Sequence, residues 1–264
     1  MLTFVGLGLY DERSITLEGR AAIREADRVF AEFYTSLLAG TTVDSLASFH
    51  DVDIEVRDRA GVEQDPAPIL GSAADGEAAF LVAGDPMVST THVDLRLRAH
   101  DQGIDTRIVH GTTAQAAASG LTGLQNYRFG KATTLPFARH DASEADPDPA
   151  VPGSVVDTIA ENRARGLHTL VYLDIEADRE AYLTVDRAAD RLSRAWEDGL
   201  GVAVARAGSP APLVAADRLS TLANRDFGDP LHLLVIPGSL HDLEVEALRA
   251  FGDAPAALLA EVTE

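Results

Sequence analysis

Hydrophobic residues in the first half of the chain occur in short runs separated by amphipathic segments. The first run, residues 2–9, is continuous, which is typical of a strand buried on both faces of a parallel sheet. Thr16 then precedes a helical pattern. Its apolar positions are Leu17, Ala21, Ala26 and Val29. Further strands are predicted at residues 28–33, 52–56, 78–83 and 106–109, and a helix at residues 91–99. This alternation indicates crossover connections and a mostly parallel sheet.

The second half contains the clearest amphipathic helix, with Thr184 at the cap position. Its apolar face is formed by Val185, Ala188, Ala189, Leu192, Ala195 and Trp196. Its charged face is formed by Asp186, Arg187, Asp190, Arg191 and Arg194. Strands are predicted at residues 170–173, 202–205 and 231–236, and a closing helix is marked by Leu243, Ala247, Leu248 and Phe251. The whole pattern predicts an α/β protein.

An acidic, proline-rich stretch interrupts this pattern at residues 140–149. Its composition is typical of a linker between two domains. It is equally typical of an exposed loop inside one domain. From composition alone, both interpretations stay open.

Glycine turns follow three of the predicted strands, at Gly6, Gly84 and Gly111. Open α/β sheets place their ligand sites at the carboxyl ends of strands, so these turns predict one shared cleft. Asp85 could bind a ligand there or simply cap the helix that follows, and the sequence supports both roles. After Gly111, Thr112 or Thr113 could cap the next helix, which is the default role for a hydroxyl in this position.

Several common sites are excluded or disfavoured by spacing. Gly6 and Gly8 would begin a dinucleotide fingerprint, but Asp11 stands where the third glycine is required. The nucleophile elbow of hydrolases and the lysine phosphate loop are both missing. The histidines do not stand at zinc-ligand spacing, so we expect no metal. For His232, inside an apolar run, a hydrogen-bonded core histidine is the default expectation.

Composition changes the picture mainly through charge. The 264 residues are 46% hydrophobic, enough for one large α/β domain or two smaller ones. The formal charge is -20, from 42 acidic and 22 basic residues, and Lys131 is the only lysine. This resembles proteins from organisms with a very salty cytoplasm. Such a surface disfavours nucleic acid as a partner, because phosphate binding needs clustered cations.

The cysteine count and the N-terminus bear on the compartment. The chain has no cysteine, so disulfides, thiolate metal sites and thiol nucleophiles are excluded. Residues 1–9 lack the positively charged start of a secretory signal, and the apolar runs are shorter than a membrane span. We therefore expect a cytoplasmic protein without membrane association.

Several strings, in the same order over nearly the whole chain, resemble the diphthine synthase family. They are GLGLYDER at residues 6–13, FAEFYTS at 30–36, GDP at 84–86, GLHTL at 166–170, LDI at 173–175, ARAG at 205–208 and DFGDP at 226–230. The resemblance implies an S-adenosyl-L-methionine-dependent methyltransferase of the tetrapyrrole-methylase fold that leaves S-adenosyl-L-homocysteine as product. It further implies that the substrate is the amino group of a 3-amino-3-carboxypropyl histidine on translation elongation factor two.

The same resemblance implies an organisation and a site. It predicts a homodimer of chains with two α/β domains, residues 1–112 and 113–264, and a ligand cleft between them. This boundary would make residues 140–149 a loop of the second domain. The implied donor-binding residues are Leu9, Asp85, Val88, Thr113, Ala114, Leu173, Ala207 and His232. The family often has Ser-Ile where this chain has Thr113-Ala114, so one bulky apolar contact with the donor is lost.

Two other functions remain as alternatives. One is a methylase of the same fold that acts on corrinoid precursors or ribosomal RNA. The other is a module that binds the elongation factor without catalysis. The resemblance assigns no general base, and it favours donor binding over proton transfer for Asp85.

Overall fold

The computed structural model describes residues 1–137, 151–176 and 179–263, and the acidic stretch at 140–149 lies outside them. The chain divides into two compact units. The first comprises Met1–Ala114, and the second begins at Gln115. Each unit is built on its own five-stranded sheet.

The first unit has a fully parallel sheet, as the sequence predicts. Its strands are β1 (Leu2–Gly6), β2 (Arg28–Glu32), β3 (Ile54–Val56), β4 (Ala78–Val82) and β5 (Thr106–Val109), in the order β3-β2-β4-β1-β5. Its helices are α1 (Leu17–Glu25), α2 (Val43–His50), α3 (Arg59–Glu63), α4 (Ala67–Asp75) and α5 (Val93–Asp101).

Apolar side chains cover both faces of this sheet. Phe4, Phe30 and Phe80 align across β1, β2 and β4 and pack on one face. Val5 and Leu81 belong to the cluster on the other face. Because both faces are buried, consecutive residues of β1 and β4 are all apolar or small, which explains the continuous runs in the sequence.

The predicted stripe on α1 is wrong. Thr16 caps α1 as expected, accepting a hydrogen bond from Gly19 N at 3.0 Å, but Leu17 is 86% exposed. The buried residues are Gly19, Ala22 and Ile23. The helix ends at Glu25, so Leu17 and Ala21 belong to α1, whereas Val29 belongs to β2.

The second unit has a mixed sheet, so the expectation of a mostly parallel sheet is wrong here. Its strands are β6 (Thr133–Leu135), β7 (Thr169–Leu173), β10 (Leu200–Ala205), β11 (Leu213–Arg218) and β12 (His232–Ile236), in the order β11-β10-β12-β7-β6. Among the described strands of this sheet, β6 and β7 pair in parallel and the other neighbouring pairs are antiparallel. The short connection from β10 to β11 makes a hairpin, and hairpins join antiparallel strands.

A small hairpin and the remaining helices complete this unit. The hairpin strands are β8 (Ile175–Glu176) and β9 (Ala181–Tyr182). The helices are α6 (Ala114–Thr122), α7 (Gly153–Arg163), α8 (Val185–Ala195), α9 (Leu219–Leu222), α10 (Asp242–Gly252) and α11 (Ala256–Ala260), with a short 3-10 helix at Asn126–Arg128.

The amphipathic pattern of α8 is confirmed with two corrections, the first being that Ala195, assigned to the apolar face, is exposed. Val185, Ala188, Ala189 and Leu192 are buried as predicted. Arg191, assigned to the charged face, is also buried, and its Nη1 donates to Pro136 O at 2.7 Å. Arg191 lies three residues beyond Ala188, which brings it round to the edge of the apolar stripe.

Candidate functional site

Three glycine turns meet at the carboxyl ends of β1, β4 and β5. A Cβ atom added to Gly6 would lie 2.5 Å from Gly111 N and 2.7 Å from Gly84 O. A Cβ atom on Gly111 would likewise overlap Gly84 O. Only glycine permits this approach, because the contacts are made by backbone atoms that cannot rotate away. The predicted convergence of the three turns is confirmed.

Gly8 ties the loop after β1 to the loop after β4. Gly8 N donates to Gly84 O at 3.1 Å, and Gly84 N donates to Gly8 O at 2.8 Å. Both residues have positive φ angles, +72° and +78°, which glycine adopts without strain. The reciprocal pair places Leu9, the next residue, beside the same strand ends.

Asp85 links the turn after β4 to the turn after β5. Its Oδ1 accepts from Met87 N at 2.9 Å, and its Oδ2 accepts from Gly111 N at 3.2 Å. The Oδ2 atom also lies 2.7 Å from His110 Nδ1. The residue is 5% exposed, and α5 begins eight residues later. Asp85 therefore organises the two turns, and the simple helix-cap interpretation is wrong.

His110 presents its ring to solvent while one nitrogen is held by Asp85. The side chain is 74% exposed, whereas that of Asp85 is 4% exposed. An ionised carboxylate can only accept, so Nδ1 carries the proton in this contact. In the neutral ring this leaves a lone pair on Nε2. Sequence analysis assigns His110 no role, because its contact with Asp85 joins residues 25 positions apart.

The other predicted residues of the first unit lie on these same loops. Leu9, Thr113 and Ala114 are partly buried, and Val88 is 39% exposed. Val88 follows Asp85 in the turn, and its N–H donates to Asp85 O at 3.4 Å. Thr113 directly precedes α6, the position expected for a helix cap. The structure thus brings all five predicted residues of this unit to one set of strand ends.

The three predicted residues of the second unit also lie together, at the same end of three neighbouring strands. Leu173 ends β7, Ala207 follows β10, and His232 begins β12 opposite Ala205. Since β12 is antiparallel to both neighbours, its first residue lies beside their last residues.

His232 has the environment of a core histidine. Its Nδ1 accepts from Val185 N at 3.3 Å, and its Nε2 lies 3.0 Å from Asp229 O. The carbonyl can only accept, so Nε2 carries the proton of a neutral ring. Burial lowers the pKa of His232, although the hydrogen bond to Asp229 acts to raise it. The expectation of a hydrogen-bonded core histidine is confirmed.

A buried Glu32–His92 pair packs against the turn that carries Asp85, and sequence analysis missed it. Glu32 ends β2, and its Oε2 accepts from Tyr34 N at 2.9 Å and Thr35 N at 3.0 Å. Its Oε1 lies 3.4 Å from His92 Nε2, and both side chains are fully buried. Burial raises the pKa of Glu32 and lowers the pKa of His92, so both groups are driven toward their neutral forms.

A second buried network, also missed from the sequence, stabilises the second unit. His168 Nε2 lies 2.9 Å from Glu244 Oε1, which also accepts from Gln125 N at 2.8 Å. Glu244 Oε2 accepts from His241 N at 3.0 Å. Burial acts to raise the pKa of Glu244, but these hydrogen bonds outweigh it and lower the pKa to about 2. His168 lies directly before β7, and Leu173 is the last residue of β7. The network therefore lies at the opposite end of this strand from Leu173.

Across residues 1–137, 151–176 and 179–263, histidine and carboxylate groups form no cluster that could hold a metal ion. Within the same ranges, no helix combines the length and apolar character needed to cross a membrane.

Comparison with known proteins identifies the family. Residues 1–223 match the model of the tetrapyrrole (corrin/porphyrin) methylases, so the chain belongs to this family. Within the family it is similar to proteins named diphthine synthase, and it is a methyltransferase of that kind.

The similarity extends over the whole chain. The diphthine synthase of Halorubrum lacusprofundi is 64% identical, with 99% of this chain and 100% of that protein covered. The diphthine synthase of Natronomonas pharaonis is 65% identical, with 98% of each covered. A crystal structure of diphthine synthase superposes with a TM-score of 0.88 at 39% identity, covering 98% of each chain. The acidic composition fits these relatives from halophilic archaea.

Proposed function

We propose that this chain transfers methyl groups from S-adenosyl-L-methionine to the amino group of a 3-amino-3-carboxypropyl histidine on translation elongation factor two. The products are diphthine and S-adenosyl-L-homocysteine, in a step of diphthamide biosynthesis. The observation that carries the proposal is the 64% and 65% identity to diphthine synthases over nearly the full length.

The strand ends of the first unit suit a donor of this kind. Gly84 has no atom within 4 Å of an added Cβ, so a ligand can approach its backbone closely, while Gly6 and Gly111 pack against each other and against Gly84 O beside it. Leu9 and Val88 offer apolar surface beside it, and Thr113 adds a hydroxyl group. This mixture of main-chain, apolar and hydroxyl groups is typical of small-molecule sites.

We assign donor binding to the eight predicted residues, five in the first unit and three in the second. Asp85 contributes by fixing its turn through Met87 N and Gly111 N. Leu173 and Ala207 contribute apolar contacts. His232 supports the start of β12 through its bonds to Val185 and Asp229. The homodimer and the cytoplasmic location predicted from the resemblance form part of the same proposal.

The protein's chemical task is mainly positioning. The donor supplies an electrophilic methyl group on a positively charged sulfur. The residues around it must hold the amine nitrogen in line with the carbon–sulfur bond. The amine attacks only when it is neutral, and removal of an ammonium group from water favours loss of its proton. Such a displacement requires neither a metal nor a covalent intermediate.

The decisive experiment incubates the full chain with methyl-labelled donor and elongation factor two carrying the modified histidine. We expect label at that residue, located by mass spectrometry of peptides. The matched control is elongation factor two with an unmodified histidine, which should stay unlabelled. Label in ribosomal RNA or in a corrinoid precursor, with none in the factor, would replace this proposal. Binding of the factor without transfer would indicate the non-catalytic module.

A further inference from the structure

We infer that His110, oriented by Asp85, is the catalytic residue that accepts the proton released by the substrate amine. The inference rests on the proposed methylation of an amino group and adds the proton acceptor that the reaction requires. The observation behind it is a buried carboxylate bonded to one nitrogen of an exposed imidazole, at the strand ends where the donor-binding residues converge.

The contact fixes which nitrogen can take up a proton. Asp85 Oδ2 lies 2.7 Å from His110 Nδ1 and accepts its hydrogen. The lone pair is therefore on Nε2. A carboxylate that holds the far side of an imidazole sets its tautomer, limits its rotation and stabilises the imidazolium that forms. Asp85 acts through His110 and is in this respect a positioning residue.

The position of Asp85 is itself fixed by backbone donors. Met87 N holds one carboxylate oxygen at 2.9 Å, and Gly111 N holds the other at 3.2 Å. Gly111 follows His110 directly, so the same carboxylate holds both the ring and its backbone. The dyad is therefore anchored on two turns and does not depend on a single flexible side chain.

The solvent exposure of the His110 ring suits a base that has to release its proton to water. A base that must release its proton to water between transfers has to reach solvent, and His110 is 74% exposed. In contrast, His92 and His168 in the same chain are fully buried, and His232 is 5% exposed with both ring nitrogens bonded.

The step balances in atoms and charge. The substrate ammonium gives a proton to His110 Nε2, and the neutral nitrogen then attacks the methyl carbon. The carbon–sulfur bonding pair returns to sulfur, which becomes a neutral thioether, and the new carbon–nitrogen bond leaves the product as a methylated ammonium. The imidazolium passes its proton to water. The methylated ammonium can give up a proton to His110 for any further transfer.

The test compares two variants with different abilities to hold Asp85. In His110→Asn the side-chain amide can still donate to Asp85, but it cannot accept the substrate proton. In His110→Ala both abilities are lost. His100→Asn is the control, because His100 is an exposed histidine at the end of α5 in the same unit. The measurements are the single-turnover rate of methyl transfer to modified elongation factor two and the donor Kd from calorimetry.

We expect both His110 variants to lose at least about 100-fold in transfer rate, the lower end of the usual contribution of general acid–base catalysis, with donor Kd unchanged. His100→Asn should match the wild type. Activity of His110→Asn near the wild-type rate would overturn the inference, because holding Asp85 would then suffice. A loss of donor affinity that accounts for the lost rate would overturn it too. A wild-type protein that labels no elongation factor would instead refute the proposed function.

Discussion

His92 Nδ1 lies 3.1 Å from the carbonyl oxygen of Pro86, inside the turn that carries Asp85. The carbonyl also accepts from Thr90 Oγ1 at 3.1 Å. His92 stands at the N-cap of α5 and is 1% exposed, so the turn after β4 is held from behind by the start of the next helix.

We expect His92→Leu to loosen this turn. The change removes a buried donor to Pro86 O, which keeps its bond from Thr90 Oγ1, so the loss is that of one hydrogen bond, about 0.5–1.5 kcal/mol of unfolding free energy. Donor affinity should fall in parallel. His92→Asn is the matched control, because an amide at the position of Nδ1 can still donate. Urea unfolding and calorimetry of both variants check this, and equal losses in the two would contradict the role of the hydrogen bond.

Glu32 predicts a dependence of stability on pH. Burial raises its pKa in the folded protein, so the folded state binds a proton more tightly than the unfolded chain. Its stabilising contribution is therefore present below about pH 4.5 and is lost as pH rises through the folded pKa. Glu32→Gln imitates the protonated acid, since its amide can face His92 while its oxygen accepts from Tyr34 N and Thr35 N.

We therefore expect Glu32→Gln to gain stability relative to the wild type as pH rises from 4 to 8, measured by urea unfolding across this range. Glu63→Gln is the control, because Glu63 is half-buried in the same unit and its side chain accepts a hydrogen bond from Thr91 Oγ1. A constant difference between Glu32→Gln and the wild type at every pH would exclude the predicted raised pKa.

Asp85→Ala should weaken donor binding. The change leaves Met87 N and Gly111 N without their carboxylate partner, so the group that joins the two turns is lost. We expect about a tenfold rise in donor Kd, equivalent to about 1.4 kcal/mol of binding free energy, because the turns no longer hold the geometry of the proposed site. Asp101→Ala, an exposed aspartate at the end of α5, is the control. If calorimetry gave wild-type affinity while turnover was abolished, Asp85 would act only through His110.

Gly111→Ala should disrupt the meeting of the three strand ends. The added methyl group would overlap Gly84 O, and backbone atoms cannot yield as a flexible side chain does. We expect a loss of both stability and donor affinity. Gly71→Ala is the control, because no atom lies within 4 Å of the added Cβ and the residue is within α4. That change should be neutral or stabilising by about 0.5–1 kcal/mol, since alanine is the better helix former.

Glu244→Gln should destabilise the chain at neutral pH. The pKa of Glu244 is lowered to about 2, so its contribution is fully present above about pH 4.5 and is lost as pH falls toward 2. We expect a loss on the order of 3 kcal/mol at pH 7 that shrinks in acid. Glu246→Gln, exposed on the same helix, should unfold like the wild type. A loss for Glu244→Gln that did not change with pH would show that packing, not charge, carries the effect.

The sequence predicted well what depends on local pattern. The parallel strands of the first unit, the stripe of α8 and the cap at Thr16 all follow from spacing and residue type. The meeting of Gly6, Gly84 and Gly111 followed from the rule that parallel strands end at one edge.

The sequence predicted poorly what depends on which strands become neighbours. Asp85 follows β4 and His110 follows β5. The two residues meet because both strands are neighbours of β1 in the sheet. Glu32 meets His92 across a separation of 60 residues, and His168 meets Glu244 across 76. A single sequence carries no local signal for such pairs. The prediction of strand direction was wrong in the second unit for the same reason. Both helices and hairpins connect the strands there, and the sequence alone does not show which strands become neighbours.

The contact between Gly6, Gly84 and Gly111 bears on the geometry of the proposed donor site. It is made by peptide groups, which carry no titratable proton. The arrangement of the three turns is therefore independent of whether His110 or its substrate is protonated. A proton can leave His110 between transfers, while the spent donor is exchanged, without any change in these backbone contacts.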